Sequence, residues 1–130
     1  RGIVDNGVEA GIPEDAVAKA EDAADRFDDA WDHALEADVP IAMGTDAGTP
    51  FNFFAEIPQE MAHMVEYGLS PEAALEAATV NAADLLGLDG VGRVEEGYAA
   101  DLVLLDADPN EDVAAGQDPD AVFACGEQMK

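Results

Sequence analysis

Apolar positions in the first third of the chain recur at alternating steps of three and four. Val17, Ala20, Ala24, Phe27, Trp31 and Ala34 make one such stripe, which predicts an amphipathic helix running to about Ala37. Pro13-Glu14-Asp15 opens it, because proline and acids suit a first turn whose backbone N–H groups are unpaired. Asp22, Asp25, Asp29, Asp32 and Glu36 fill the opposite face, relieved by Lys19 and Arg26. Trp31 invites a stacking role, but a tryptophan in register with a helix stripe is far more often core. His33 falls on the polar face and reads as a solvated histidine, not a ligand. Residues 1–12, with Gly2, Gly7 and Gly11 among small and acidic residues, read as a loop.

The pattern changes at Val39. Pro40 suits the first position of a strand, and Ile41 to Met43 is an apolar run short enough for a buried, parallel strand. Gly44, Gly48 and Pro50 break it into a loop, with Asp46 as the single carboxylate at the break. An aspartate beside glycine commonly bonds its own backbone in a turn. The end of a buried strand is also where open sheets and barrels place their chemistry. On local pattern alone the turn reading is favoured. Phe51-Asn52-Phe53-Phe54 follows, and its aromatics either floor a pocket or pack under the next helix.

Ile57, Met61, Met64 and Val65 predict a helix over about 55–67, with Pro58 tolerated in its first turn. Glu60 and His63 stand i, i+3 on it, a spacing read as a surface ion pair, with Glu56 and Glu60 placed to contact a neighbouring loop. Gly68 ends that helix, Ser70-Pro71 caps and starts another, and Asn81 is expected to cap a third that Gly87 closes. From Gly90 the period becomes that of strands: Val91–Val94, then Ala100–Asp106. Residues 110–120 read as acidic loop, and Val122–Met129 as a hairpin turning at Gly126-Glu127.

Charge alters this picture most. Acidic residues number 30 against 5 basic ones, for a net charge of −25. Such a surface repels nucleic acid and anionic membranes. The acids are spread along the whole chain, which favours adaptation to a salt-rich cytoplasm over a tail made for one basic partner. A halophile's protein is expected, with a haloarchaeal source. At 130 residues the chain is one domain's worth, small for a whole catalytic barrel. Cys125 is the sole cysteine, so neither an internal disulfide nor a thiolate metal cluster can form. No stretch has the length of a membrane span or the pattern of a signal peptide, so a cytoplasmic location is expected. Opening on Arg1-Gly2-Ile3-Val4 without a methionine, the chain reads as a fragment of something longer.

Gly44-Thr45-Asp46-Ala47-Gly48-Thr49-Pro50 resembles the end of the last barrel strand in metal-dependent amidohydrolases, in the group of imidazolonepropionase-like proteins and Xaa-Pro dipeptidases (prolidases). Gly68–Leu75 with Ala77–Ala83 resembles that family's helices after the strand. Gly87-Leu88 and Gly92–Asp106 resemble the strands closing its accessory β-domain. The likeness runs from about Val39 to Pro109, with several motifs in the right order. It implies an α/β fold, the carboxy-terminal part of a (β/α)8 metallo-hydrolase barrel with strands of an accessory composite β-sandwich. Residues 1–88 would be the barrel segment, with its last strand at about 39–46, and 89–130 the accessory strands.

Amide hydrolysis needs activated water, a stabilised oxyanion and a proton for the departing nitrogen. By resemblance, Asp46 would be metal ligand and general base. Thr45 and Thr49 would orient it, with Phe51, Asn52 and Phe53 near the substrate. The cofactor implied is a divalent metal, zinc as one or two ions, whose other ligands lie outside this chain. One carboxylate cannot hold a catalytic zinc ion, which takes three or more protein ligands, so these 130 residues alone are expected to be inactive. The implied partners are a small-molecule amide or dipeptide substrate and, as a further class, a second copy in a homo-oligomer. The competing reading is a non-catalytic acidic α+β interaction or assembly module with Asp46 as turn chemistry.

Overall fold

The computed structural model describes residues 2–48, 52–54 and 57–130. Among these residues five α-helices precede a small sheet: α1 (Gly2–Asn6), α2 (Glu14–Glu36), α3 (Ile57–Glu66), α4 (Pro71–Ala78) and α5 (Val80–Leu86), then β1 (Leu102–Leu104), β2 (Ala121–Ala124) and β3 (Glu127–Gln128). The chain divides into two compact units, residues 1–39 with 46–55 and residues 40–45 with 56–130.

In the first unit, α2 follows the expected stripe except at Phe27, which is exposed. Val17 is buried, while Ala20, Ala24, Trp31 and Ala34 are half-buried. Trp31 stacks on Phe27 with ring centroids 5.7 Å apart, so the tryptophan packs along its own helix. Glu14 and Asp15 in the first turn complement the helix dipole, no side chain capping the end. His33 is exposed, as expected. The loop expected over residues 1–12 instead begins with a helical turn, α1. Gly7 explains it: a Cβ there would meet the Ile3 carbonyl oxygen at 2.3 Å and Val17 Cγ2 at 2.9 Å. A glycine read as part of a loop lets the end of α1 lie directly on α2.

The second unit holds most of the buried residues: Met61 and Met64 of α3, Ala74 and Ala77 of α4, Ala83 of α5, with Val113 and Ala121. Ala74 and Ala77 are 0% exposed, and their small size is what lets α3, α4 and α5 approach closely. Ser70 caps α4 through its Oγ, which accepts the Ala73 N–H at 3.1 Å. Asp112 likewise caps a 3₁₀ turn, Val113–Gln117, where the sequence suggested only loop. That turn packs on α3, with Gly116 against the ring of Pro58.

The sheet is antiparallel in the order β1-β2-β3. Leu102 faces Phe123, Val103 faces Val122 and Leu104 faces Ala121; in the hairpin Ala124 faces Glu127. The hairpin turns at Cys125-Gly126, one residue earlier than expected, with φ of 51° and 82°. Two left-handed residues in succession match the right-handed twist of the flanking strands. The Asp101 carboxylate accepts the Cys125 N–H at 2.7 Å and ties this turn to the start of β1. Val91–Val94 is not a strand. Gly90 and Gly92 both hold positive φ, 73° and 82°, and two such kinks in three residues prevent a straight run.

Candidate functional site

Residues 39–46 lie in neither helix nor sheet, and the helices bond them at two points. The Met43 N–H donates to the Ala77 carbonyl at 2.9 Å, and the Asn81 side-chain amide donates to the Ile41 carbonyl at 2.9 Å. In an extended chain the groups of residues 41 and 43 point to the same side. One edge of this segment is therefore bonded at two points by the α4–α5 junction. Asn81 lies inside α5 and is no cap, correcting the sequence reading.

The junction can do this because the helix breaks at Thr79, where φ is −124° and ψ −84°. An unbroken helix would spend the Ala77 carbonyl on the N–H four residues later. Thr79 turns its own hydroxyl back to the Leu75 carbonyl at 2.7 Å, a bond that offers the backbone an alternative to the ladder. The Ala77 carbonyl is thereby left to the incoming chain.

Asp46 follows two residues after Gly44, exposed, with φ of 50°. Aspartate is among the few non-glycine residues that enter this left-handed region, at a cost of about 1 kcal/mol. Beyond it, the Gly48 N–H donates to the Asn52 carbonyl at 2.9 Å, and the Phe54 ring lies on Gly48, 3.2 Å from where a Cβ would stand. Thr45 is half-buried, and Phe53 and Phe54 are exposed. Thr49 and Phe51, also expected near the site, and Glu56 lie outside the described residues.

The described residues do not by themselves make a metal site, since no group of three or more His, Cys, Asp or Glu side chains converges among them. Asp46 can offer one carboxylate to such a site. His63 Nδ1 sits 3.2 Å from Glu66 Oε2 on α3, so the i, i+3 pair that forms is with Glu66 and not Glu60. Among the described residues no helix is long and apolar enough to cross a membrane.

Residues 3–129 match the model of the amidohydrolase family. The imidazolonepropionase of Rubrobacter xylanophilus is 47% identical over 75 residues, 56% of this chain and 18% of that protein. The ochratoxinase of Aspergillus niger is 34% identical over 116 residues, 86% of this chain and 23% of that protein. A solved Xaa-Pro dipeptidase with methionine bound in its active site superimposes with a TM-score of 0.81 at 33% identity, covering 91% of this chain and 29% of that one. The chain spans about a fifth of the length of these curated relatives. Its helices and small antiparallel sheet match part of the metallo-hydrolase barrel fold of its solved neighbours.

Proposed function

Because the chain belongs to the amidohydrolase family, we propose that it is the carboxy-terminal portion of a metal-dependent hydrolase of C–N bonds in amides, peptides or cyclic amides. In this reading residues 1–88 complete the barrel, with 39–46 as its last strand, and 89–130 belong to the accessory β-domain. The supporting observation is Asp46: a carboxylate exposed just past an apolar run, in a backbone conformation that costs energy and, among the described residues, closes neither a helix nor a strand. Strain of this kind at a non-glycine residue points toward a functional position.

A divalent metal, zinc as one or two ions, supplies Lewis acidity toward the carbonyl and the attacking water when bound. Asp46 gives one carboxylate to hold it, beside ligands encoded outside this stretch. The same carboxylate takes the proton from water and returns it to the leaving nitrogen. Thr45 and Thr49 orient Asp46 by hydrogen bonds, and Phe51, Asn52 and Phe53 flank the substrate. The stretch by itself is inactive, because one carboxylate falls short of the three or more ligands a catalytic zinc needs.

The test replaces Asp46 in the full-length protein. Asp46→Asn is expected to lower hydrolysis at least about a hundredfold and to reduce bound metal in elemental analysis. The substrate panel is a set of dipeptides with C-terminal proline, an imidazolone-type cyclic amide and a simple N-acyl amide. An unchanged rate removes Asp46 from the mechanism. A full-length protein that hydrolyses no panel member and binds no metal is the acidic interaction module instead.

The same reading extends to the surroundings. A net charge of −25 fits a halophile's cytoplasmic enzyme, with a haloarchaeal source, whose partners are small amides or a second copy of itself and not nucleic acid or membrane.

A further inference from the structure

The geometry points to Asn81 as a positioning residue: its side-chain amide, together with the carbonyl freed by the helix break at Thr79, clamps residues 41–43 of the stretch that leads along the chain into Asp46. This rests on the reading of Asp46 as metal ligand and base, and adds a residue whose role runs through the backbone.

Three observations carry it. Asn81 Nδ2 reaches the Ile41 carbonyl at 2.9 Å in a part-buried setting, across forty positions of sequence. The Met43 N–H reaches the Ala77 carbonyl at 2.9 Å. Ile41 and Met43 flank Ala42 on one edge, so the two bonds act as a ladder rung made by a helix junction in place of a strand. An apolar run such as Ile41-Ala42-Met43 can slip along its axis when only its side chains are packed. A donor and an acceptor at fixed spacing remove that freedom, because a one-residue slip would turn both backbone groups to the other edge. The path of residues 40–45, the stretch that leads along the chain into Asp46, is then set. The junction's own geometry is held by Gly92, where a Cβ would fall 2.9 Å from the Thr79 carbonyl oxygen.

The experiment uses the full-length protein with Asn81→Ala and Asn81→Asp, each made alone and in the Asp46→Asn background. Amide exchange over residues 41–45, kcat, KM and the unfolding midpoint are read together. Asn81→Ala is expected to speed exchange at Met43 and to lower kcat about tenfold, the worth of one hydrogen bond, while KM stays within about twofold. In the Asp46→Asn background, assayed at high enzyme concentration, it should cost nothing further, because residues acting as a unit are not additive. Asn81→Asp places a carboxylate against the Ile41 carbonyl. Its kcat relative to the unsubstituted protein should climb as pH falls and protonation restores a donor, a signature that mere loss of stability does not produce. Unchanged exchange at Met43, an unchanged kcat or an undiminished loss in the Asp46→Asn background overturns the clamp. If Asp46→Asn alone leaves the rate intact, the function reading has failed, and the exchange measurement still decides the clamp separately. If Asn81→Ala does not fold, the pH profile of Asn81→Asp decides, and a flat one overturns the proposal.

Discussion

Asp38, Asp46 and Cys125 hold positive φ without being glycine, and each has a different physical setting. Asp38 ends α2: its N–H donates to the Leu35 carbonyl at 3.1 Å, and that of Val39 to the Ala34 carbonyl at 3.4 Å, closing the helix by the double bond that usually recruits glycine. Cys125 turns the hairpin, with the Asp101 carboxylate on its N–H. Asp46 terminates neither kind of element, which sets it apart. Another aspartate permits a direct measurement. Lys130 Nζ donates to Asp118 at 2.8 Å, and this hydrogen bond, with the attraction between the charges, lowers the Asp118 carboxyl below the ordinary 3.8. A lowered folded-state value means that the pair contributes stability above the ordinary value and loses it as pH falls through the lowered one. Following the Asp118 carboxyl by NMR should give a midpoint below the ordinary one, returning upward in Lys130→Ala. A midpoint that Lys130→Ala leaves unmoved would show that the ion pair does not form in solution. The effect on stability is expected to be small, as for any exposed pair.

At the scale of elements, the broken α4–α5 helix is the informative feature. Ser70, Pro71 and Gly87 mark its outer ends in the sequence because caps act on their own turn. Asn81 looked like one more cap, since asparagine before an apolar stretch usually is. Its actual partner, Ile41, is remote in sequence, and no local pattern announces such a bond. Gly92 is hidden in the same way. Gly92 and Gly97 both hold positive φ, 82° and 93°, but a Cβ at Gly97 meets nothing within 4 Å, whereas one at Gly92 meets Thr79 and Ala83. Gly97→Ala therefore isolates the backbone strain, about 1 kcal/mol, and Gly92→Ala adds the clash. In urea unfolding of the full-length protein, Gly92→Ala should cost more than Gly97→Ala by about 1–3 kcal/mol. Equal costs would mean that the junction relaxes freely.

Across the whole molecule, charge and exposed apolar surface dominate. Lys19, Arg26 and Lys130 each pair with an aspartate, yet against 5 basic residues the chain carries 30 acids. Their mutual repulsion is screened over about 3 Å in molar salt and only over about 10 Å at 0.1 M. The full-length protein should therefore unfold at a lower temperature as salt is withdrawn; a midpoint independent of salt would remove the case for halophilic adaptation. Leu85 and Leu86 are 75% and 70% exposed and Val94 is 90% exposed. Apolar side chains left open in this way accord with a chain that matches only about a fifth of its curated relatives' length.

What the sequence determined by itself is whatever depends on near neighbours. The period of α2, the Ser70 cap of α4, the Gly87 end of α5, the apolar runs of β1 and β2, and an aspartate placed where an apolar run meets glycines were all legible there. Tertiary structure alone decided that α1 is helical, that Val91–Val94 is not a strand, and that the Ala77 carbonyl and the Asn81 amide grip residues 41 and 43. The reason is range. Helix periodicity and capping act over a few residues and repeat, so they mark the sequence, whereas a single close approach or a single bond across forty residues leaves one glycine or one asparagine with nothing periodic around it.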